Sequence, residues 1–204
     1  MDLLVIRHGQ SEADILGVIE GRADFSLTDL GHNQAATMAK WLGDHYSISK
    51  IYSSPLKRAK QTAEHISKIY GIEIQYDDDL MEWNNGLIAG LSPKEADERY
   101  PEPKKHPHTR VYEQESIIDF RSRAETALSK IINESNSDAT IAIVTHGGVI
   151  NMLFRSFIES PINSEISIFT GDTGIHHWRI RENNKSIIFS GKEDHLNSLN
   201  GYTQ

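Results

Sequence analysis

Leu3-Leu4-Val5-Ile6-Arg7-His8-Gly9 and Ile141-Ala142-Ile143-Val144-Thr145-His146-Gly147-Gly148 are two versions of one phrase. Each is a continuous apolar run that ends, at or just past its last residue, in histidine followed by glycine. Such runs fit strands buried on both faces, as in the centre of a parallel sheet. The glycine permits a tight turn directly after the histidine. Open α/β sheets bind ligands outside the carboxyl ends of their strands, so two histidines placed alike on central strands face one crevice.

Working outward, short apolar runs alternate with amphipathic stretches, the pattern of strands joined by helical crossovers. Gly31–Tyr46 reads as a helix, with Ala35, Met38, Ala39 and Leu42 on one face. Lys50–Ser53 is a short strand. Ser54-Pro55 then reads as an N-cap followed by Pro at the first helical position, opening a helix to about Tyr70. Ile72–Tyr76 is a weaker strand, Ser116 to about Asn133 a long helix, Thr140–Val144 a strand and Gly148–Ile158 a helix. Ile175–Arg181 and Ser186–Ser190 form an edge hairpin across Glu182–Lys185, where Asn183-Asn184 supply turn conformations. The expected fold is α/β: a three-layer sandwich with a mostly parallel sheet, helices on both faces and an antiparallel hairpin near the C-terminus. Residues 1–204 read as one domain, in which 77–115, rich in proline and irregular, forms a lid or insert.

The third strand brings Ser54 to Arg58 to the same edge as the two histidines. Arg58 falls in the first turn of its helix, where the dipole mildly disfavours a cation. That position makes sense if Arg58 serves an anion, together with Arg7. Guanidinium groups suit bidentate phosphate recognition, and free N–H groups at helix N-termini add to it. Two histidines and two arginines converging on one edge therefore describe a phosphate pocket.

Composition narrows the alternatives. In 204 residues, Lys+Arg number 21 and Asp+Glu 29, a formal net charge of −8, which argues against broad binding to nucleic acid or to an anionic membrane. Cysteine is absent, which excludes disulfides, thiolate nucleophiles and zinc–thiolate sites. No run approaches the length of a membrane helix, and no basic stretch precedes a signal-length apolar region, so a cytoplasmic location is expected. The triplet Asp77–Asp79 and the pairs His106/His108 and His176/His177 read as solvated loop or strand residues, not as metal ligands. The cluster Lys104, Lys105, His106, His108, Arg110 reads first as a solvated basic loop, with Lys104, Lys105 and Arg110 also placed to meet a second anionic group.

Beyond the two histidine phrases, the chain resembles the histidine phosphatase superfamily, which includes the cofactor-dependent phosphoglycerate mutases. Leu4 to Gly9 resembles its opening Arg-His-Gly signature. Gly21-Arg22-Ala23-Asp24 with Leu27-Thr28 and Gly31 is similar to its Gly-x-x-Asp-x-x-Leu-Thr-x-x-Gly stretch. Ser53 to Ala63 is close to its Ser-Ser-Pro-Leu-x-Arg-Ala-x-Gln-Thr-Ala segment, and Leu80-Met81-Glu82 with Gly86 and Gly90-Leu91 resembles the acid-bearing loop. Thr145 to Gly148 resembles the second histidine motif, and Glu115-Ser116 with Arg123 also fits. Gln10-Ser11 and Asp14 depart from the pattern, Asp14 standing where Asn is common, and the usual aromatic and acidic residues are missing around Ile88-Ala89.

The resemblance implies that His8 is the nucleophile forming a phosphohistidine, and that Arg7, Arg58 and His146 spread across the phosphoryl oxygens. It makes Glu82 the general acid to the leaving alkoxide and then the base for water. Gly21, Gly147 and, more weakly, Asp14 are carried over as substrate contacts. No metal and no other cofactor is implied. The expected activity is metal-independent hydrolysis of small phosphorylated metabolites. The alternatives are a phosphoglycerate mutase and a phospho-ligand-binding protein without catalysis. A monomer and a homodimer are both compatible with the sequence.

Overall fold

The computed structural model describes residues 1–101, 106–182 and 184–199. Its elements run β1 (Asp2–Arg7), α1 (Glu12–Leu16), α2 (Asp29–His45), β2 (Lys50–Ser53), α3 (Lys57–Tyr70), β3 (Ile74–Tyr76), α4 (Pro93–Arg99), α5 (Ile117–Asn133), β4 (Thr140–Thr145), α6 (Gly147–Phe157), β5 (Ile175–Arg181) and β6 (Asn184–Lys192). Short 3-10 turns cover Asp78–Leu80, Gly86–Ile88 and Asp194–Ser198.

The six strands form one sheet in the order β3-β2-β4-β1-β5-β6. The first four are mutually parallel, whereas β5 runs antiparallel to β1 and β6 antiparallel to β5. Side chains alternate along the central strands, and both faces are covered. Leu3, Val5, Ile141 and Ile143 pack with Phe120, Leu128, Ile150 and Leu153 of α5 and α6. Leu4, Ile6, Ala142 and Val144 pack with Met38, Leu42, Ala63 and Ile66 of α2 and α3. This is why the two phrases are apolar without alternation. Each large aliphatic side chain buried here contributes roughly 1.5–3 kcal/mol.

The expected fold class is therefore the observed one, with local corrections. Ser54-Pro55 does not open a helix. The cap position of α3 is Leu56, whose apolar side chain makes no cap bond, and the Ser54 hydroxyl two residues before it meets His146. Helix α1 and helix α4 lie in stretches that show no long apolar periodicity. Each is closed at its start by a capping box, Ser11 with Asp14 and Ser92 with Glu95. The hairpin turn is tighter than expected, since Arg181 pairs with Asn184. Glu182 takes the left-handed conformation there (φ 50°), and Asn183 lies outside the described residues.

His176 and His177 are buried, not solvated. His176 is bonded to Thr170 Oγ1 and Ser190 Oγ, each at 2.7 Å, and burial lowers its pKa to about 4. His177 Nε2 meets Asp2 Oδ1 at 2.5 Å, and Arg179 and Arg181 bind the same carboxylate at 2.7 and 2.6 Å. Burial alone would raise Asp2, but the three donors outweigh it and hold it well below the carboxylate range. This cluster ties β1 to β5. His106 and His108 stack on one another at the surface, and Arg110 is engaged by Asp119 at 2.7 Å. Lys104 and Lys105 lie outside the described residues. Among the described residues no helix is long and apolar enough to cross a membrane.

Candidate active site

β1 and β4 are neighbours in register, with Arg7 opposite Thr145, so His8 and His146 leave the sheet side by side. The His8 amide donates to Thr145 O at 3.0 Å. Both imidazoles are buried and their ring centroids lie 5.1 Å apart. β2 ends one strand further on, and the Ser54 amide donates to Val144 O at 3.0 Å. Three strand ends thus deliver His8, His146 and the Ser54–Arg58 segment to one place.

The chain after His8 is held by close backbone contact. A Cβ on Gly9 would lie 2.6 Å from Gly31 O, and one on Gly31 would lie 2.1 Å from Gln10 O. Neither clash can be relieved by a side chain, so both positions require glycine. Gly9 N also donates to Thr62 Oγ1 on α3 at 3.1 Å.

The hydrogen bonds assign the tautomer of His8. Its Nδ1 lies 2.8 Å from Gly9 O, and a carbonyl can only accept, so Nδ1 carries the proton. The lone pair is then on Nε2, which receives Arg58 Nε–H at 3.3 Å. Burial, with Arg58 and Arg7 next in size, pushes the His8 pKa well below its ordinary value. His8 is a neutral imidazole with an available nitrogen.

His146 is arranged in the opposite sense. Ser54 Oγ accepts from Leu56 N at 3.3 Å and lies 2.8 Å from His146 Nε2. Donation of the hydroxyl proton to Nε2 gives that proton an acceptor, which leaves the ring proton on Nδ1. That Nδ1 is buried and has no protein partner among the described residues. Burial, then Arg58, His8 and Arg7, lowers the His146 pKa as well.

Arg58 is fully buried, and its guanidinium is fixed by Gly21 O at 2.8 Å and Ala23 O at 3.0 Å. Gly21 therefore anchors the arginine through its carbonyl. It sits at φ 51°, with Asn85 2.8 Å from the place of a Cβ. Arg7 donates to Thr170 O at 2.9 Å and lies 3.7 Å from Asp172. Gly147 opens α6, and a Cβ there would meet open space.

Glu82 stands at the N-terminus of α6, accepting from Gly148 N at 3.0 Å and from Trp83 N at 2.7 Å. The loop that carries it is held from behind by Arg123. This arginine forms a two-point pair with Glu115 at 2.7 and 2.9 Å and donates to the carbonyls of Asp79, Met81 and Glu82. Thr145 Oγ1 donates to Leu80 O at 2.7 Å, joining the same loop to β4. A cavity of about 580 Å³ opens beside Glu82, lined also by Trp83, Phe120, Met152 and Arg155. Asp14 lines it too, but its carboxylate accepts from Ser11 N at 2.7 Å and so is turned into its own helix cap.

Two carboxylates at the site carry no motif in the sequence reading. Glu20 lies 3.4 Å from Arg58 Nε and 3.7 Å from His8 Nε2, and its other oxygen is bonded to Ser11 Oγ. Asp172 neighbours Arg7 and Gln34. Burial raises both pKa values against the pull of the arginines. Glu20 directly precedes the Gly21-Arg22-Ala23-Asp24 stretch, a position that could have drawn attention to it. Asp172 lies in Gly171-Asp172-Thr173-Gly174 ahead of β5.

The known proteins point the same way. The profile of the histidine phosphatase superfamily (branch 1) matches residues 3–191. Phosphoglycerate mutase-like protein 4 of Arabidopsis thaliana is 33% identical over 181 residues, covering 82% of this chain and 78% of that protein. A metal-independent phosphoserine phosphatase of Arabidopsis thaliana is 29% identical over 211 residues, covering 100% and 86%. The crystal structure of Entamoeba histolytica phosphoserine phosphatase in complex with 3-phosphoglyceric acid superposes with a TM-score of 0.77 at 25% identity, over 96% of this chain and 98% of that one. With the matched profile spanning nearly the whole sheet and both histidine strand ends, the chain belongs to the histidine phosphatase superfamily, branch 1.

Proposed function

We propose that this phosphatase hydrolyses small phosphorylated metabolites through a phosphohistidine on His8, without a metal ion. The observation that carries the proposal is the opposed pair of imidazoles. His8 offers an unprotonated Nε2, and His146, whose ring centroid lies 5.1 Å from that of His8, has a buried Nδ1 with no protein partner among the described residues. A phosphoryl group held beside the pair meets a nucleophile at His8 Nε2 and, with the ring proton on Nδ1, a donor at His146. Arg58 and Arg7 supply the positive charge that a metal supplies elsewhere. In the first step His8 Nε2 forms a bond to phosphorus, the bond from phosphorus to the ester oxygen breaks, and Glu82 gives that oxygen a proton. In the second step water attacks the phosphohistidine, Glu82 takes a proton from it, and His8 and inorganic phosphate are regenerated. Gly147 serves as a backbone contact to the substrate, whereas Gly21 acts through Arg58 and Asp14 stays in its own helix cap at the cavity wall. Residues 1–204 act as one cytoplasmic unit, in which 77–115 forms the insert that bears Glu82. The two relatives named for phosphoserine phosphatase activity support hydrolysis of small substrates.

The test is phosphate release from phosphoserine, phosphoglycerates, sugar phosphates and nucleotides, with and without EDTA. Hydrolysis of at least one class, unchanged by EDTA, is the expected result. Loss with EDTA that added metal restores would overturn the metal-free mechanism. Rapid conversion of 3-phosphoglycerate to 2-phosphoglycerate in the presence of 2,3-bisphosphoglycerate, with negligible phosphate release, would make the protein a mutase.

Arg123 is expected to act on this chemistry through the loop it holds. Arg123→Ala removes the two-point partner of Glu115, which keeps the Asn84 amide at 2.6 Å and Arg22 at 3.8 Å, and destabilises the fold by about 2 kcal/mol. It also removes the shorter of two donors to the Glu82 carbonyl, leaving Arg22 Nε at 3.4 Å, so turnover should fall about tenfold or more while substrate affinity changes less. Urea unfolding together with separate kcat and KM values checks both. A variant with wild-type kcat would show that the loop keeps its place without Arg123.

A further inference from the structure

We infer that Glu20 is a proton-linked competitor inside the phosphate site, so that an anion binds together with a proton taken up by this carboxyl group. The inference rests on the phosphate site proposed above. Glu20 Oε2 is within 3.4 Å of Arg58 Nε and 3.7 Å of His8 Nε2, the two atoms that have to face a bound phosphoryl group. An ionised carboxylate there takes the arginine for itself and repels a phosphate dianion. A neutral carboxyl group does neither.

Proton counting shows how the neutral form is housed. Ser11 Oγ contacts Glu20 Oε1 and also lies 3.2 Å from Asp14 Oδ2. Serine has one hydroxyl proton for these two carboxylates. Both contacts become hydrogen bonds when Glu20 carries a proton, donates it to Ser11 Oγ, and Ser11 donates its own to Asp14. Asp14 also accepts from Ser11 N, so it is the better placed of the two to stay ionised. The groups facing Glu20 are Arg58 of α3, Arg7 and His8 at the end of β1, and Ser11 and Asp14 at the start of α1. Burial and Asp14 favour the neutral form, while Arg58, Arg7 and the Ser11 hydroxyl favour the ion. A bound anion takes over Arg58 and adds negative charge, and both changes favour protonation. By linkage, anion binding tightens as pH falls through the Glu20 titration.

Inorganic sulfate is the probe, since its charge is constant across the window and its binding needs no turnover. Calorimetry is run from about pH 5 to about pH 8 on the wild type and on Glu20→Gln, which keeps the shape and cannot ionise. The wild type should bind more weakly as pH rises. Glu20→Gln should lose most of this dependence and bind about tenfold more tightly than wild type at the alkaline end, the equivalent of one pKa unit of interaction. The wild-type slope needs no variant, so a poorly folded Glu20→Gln leaves a valid measurement. Equal affinities and equal slopes in the two proteins would overturn the role of Glu20, as would a wild-type affinity independent of pH. Sulfate binding that follows the expected pattern in a protein that hydrolyses nothing would sustain this inference while removing the proposed activity. Absence of sulfate binding by both proteins at every pH would overturn the anion site and the inference together.

Discussion

Removing the His8 imidazole is expected to lower turnover by about four orders of magnitude or more, since it deletes the covalent route and not only a binding contact. His8→Ala should also give no acid-labile labelled phosphoenzyme when a labelled substrate is quenched during turnover. The reason lies in how the structure prepares this one nitrogen. Gly9 O holds the proton on Nδ1, and burial with Arg58 and Arg7 keeps the ring from taking a second one. Protonation of Nε2 would remove its lone pair, so the depressed pKa keeps the nucleophile available into mildly acidic solution. His146 is not expected to stand in, because its Nε2 is bonded to Ser54 and its Nδ1 is the proposed donor to the phosphoryl group. A His8→Ala protein that turns over at the wild-type rate, or a label mapped to another side chain, would reject the mechanism.

The architecture was legible because its centre is written in one repeated phrase. Continuous apolar runs in β1 and β4 announced strands buried on both faces, and their adjacency in register is what brings His8 beside His146. Arg58 was legible for a similar reason, since its place in a first helical turn makes sense if it serves an anion. What stayed hidden depends on contacts between distant segments. Asp172 reaches the site because β5 runs antiparallel to β1, so the start of that strand, and not its end, lies at the catalytic edge. The carboxyl ends of the parallel strands do not include it. Ser54 looked like a helix cap because Ser-Pro commonly is one, yet the hydroxyl is used by an imidazole 92 positions away. Glu20 shows no periodicity and no pairing in sequence, and only the folded loop sets it against Arg58. Glu115 and Arg123 were legible as part of the family resemblance, but not what they do, which is to hold the backbone of Asp79 to Glu82.

That loop leads to the second large effect. Glu82→Gln keeps the shape of the side chain and removes its ability to exchange a proton. Substrates whose leaving group is a poorly stabilised alkoxide, phosphoserine among them, should then form the phosphoenzyme about 10²–10³-fold more slowly. An activated aryl phosphate expels a stable phenolate and needs little protonation, so its first turnover should be nearly spared. Hydrolysis of the phosphohistidine still needs a base for water, and that step slows for every substrate. The expected signature is a burst of phenolate stoichiometric with enzyme, followed by slow turnover, with no burst of alcohol from the alkyl ester. Rapid-quench measurement on both substrate types reads this directly. The local geometry permits no easy substitute for Glu82. Its carboxylate is seated on Gly148 N and Trp83 N, and a Cβ at position 148 would lie 2.4 Å from Oε1. Equal slowing of the first turnover for alkyl and aryl esters would assign Glu82 to positioning alone and leave the leaving-group proton to another donor.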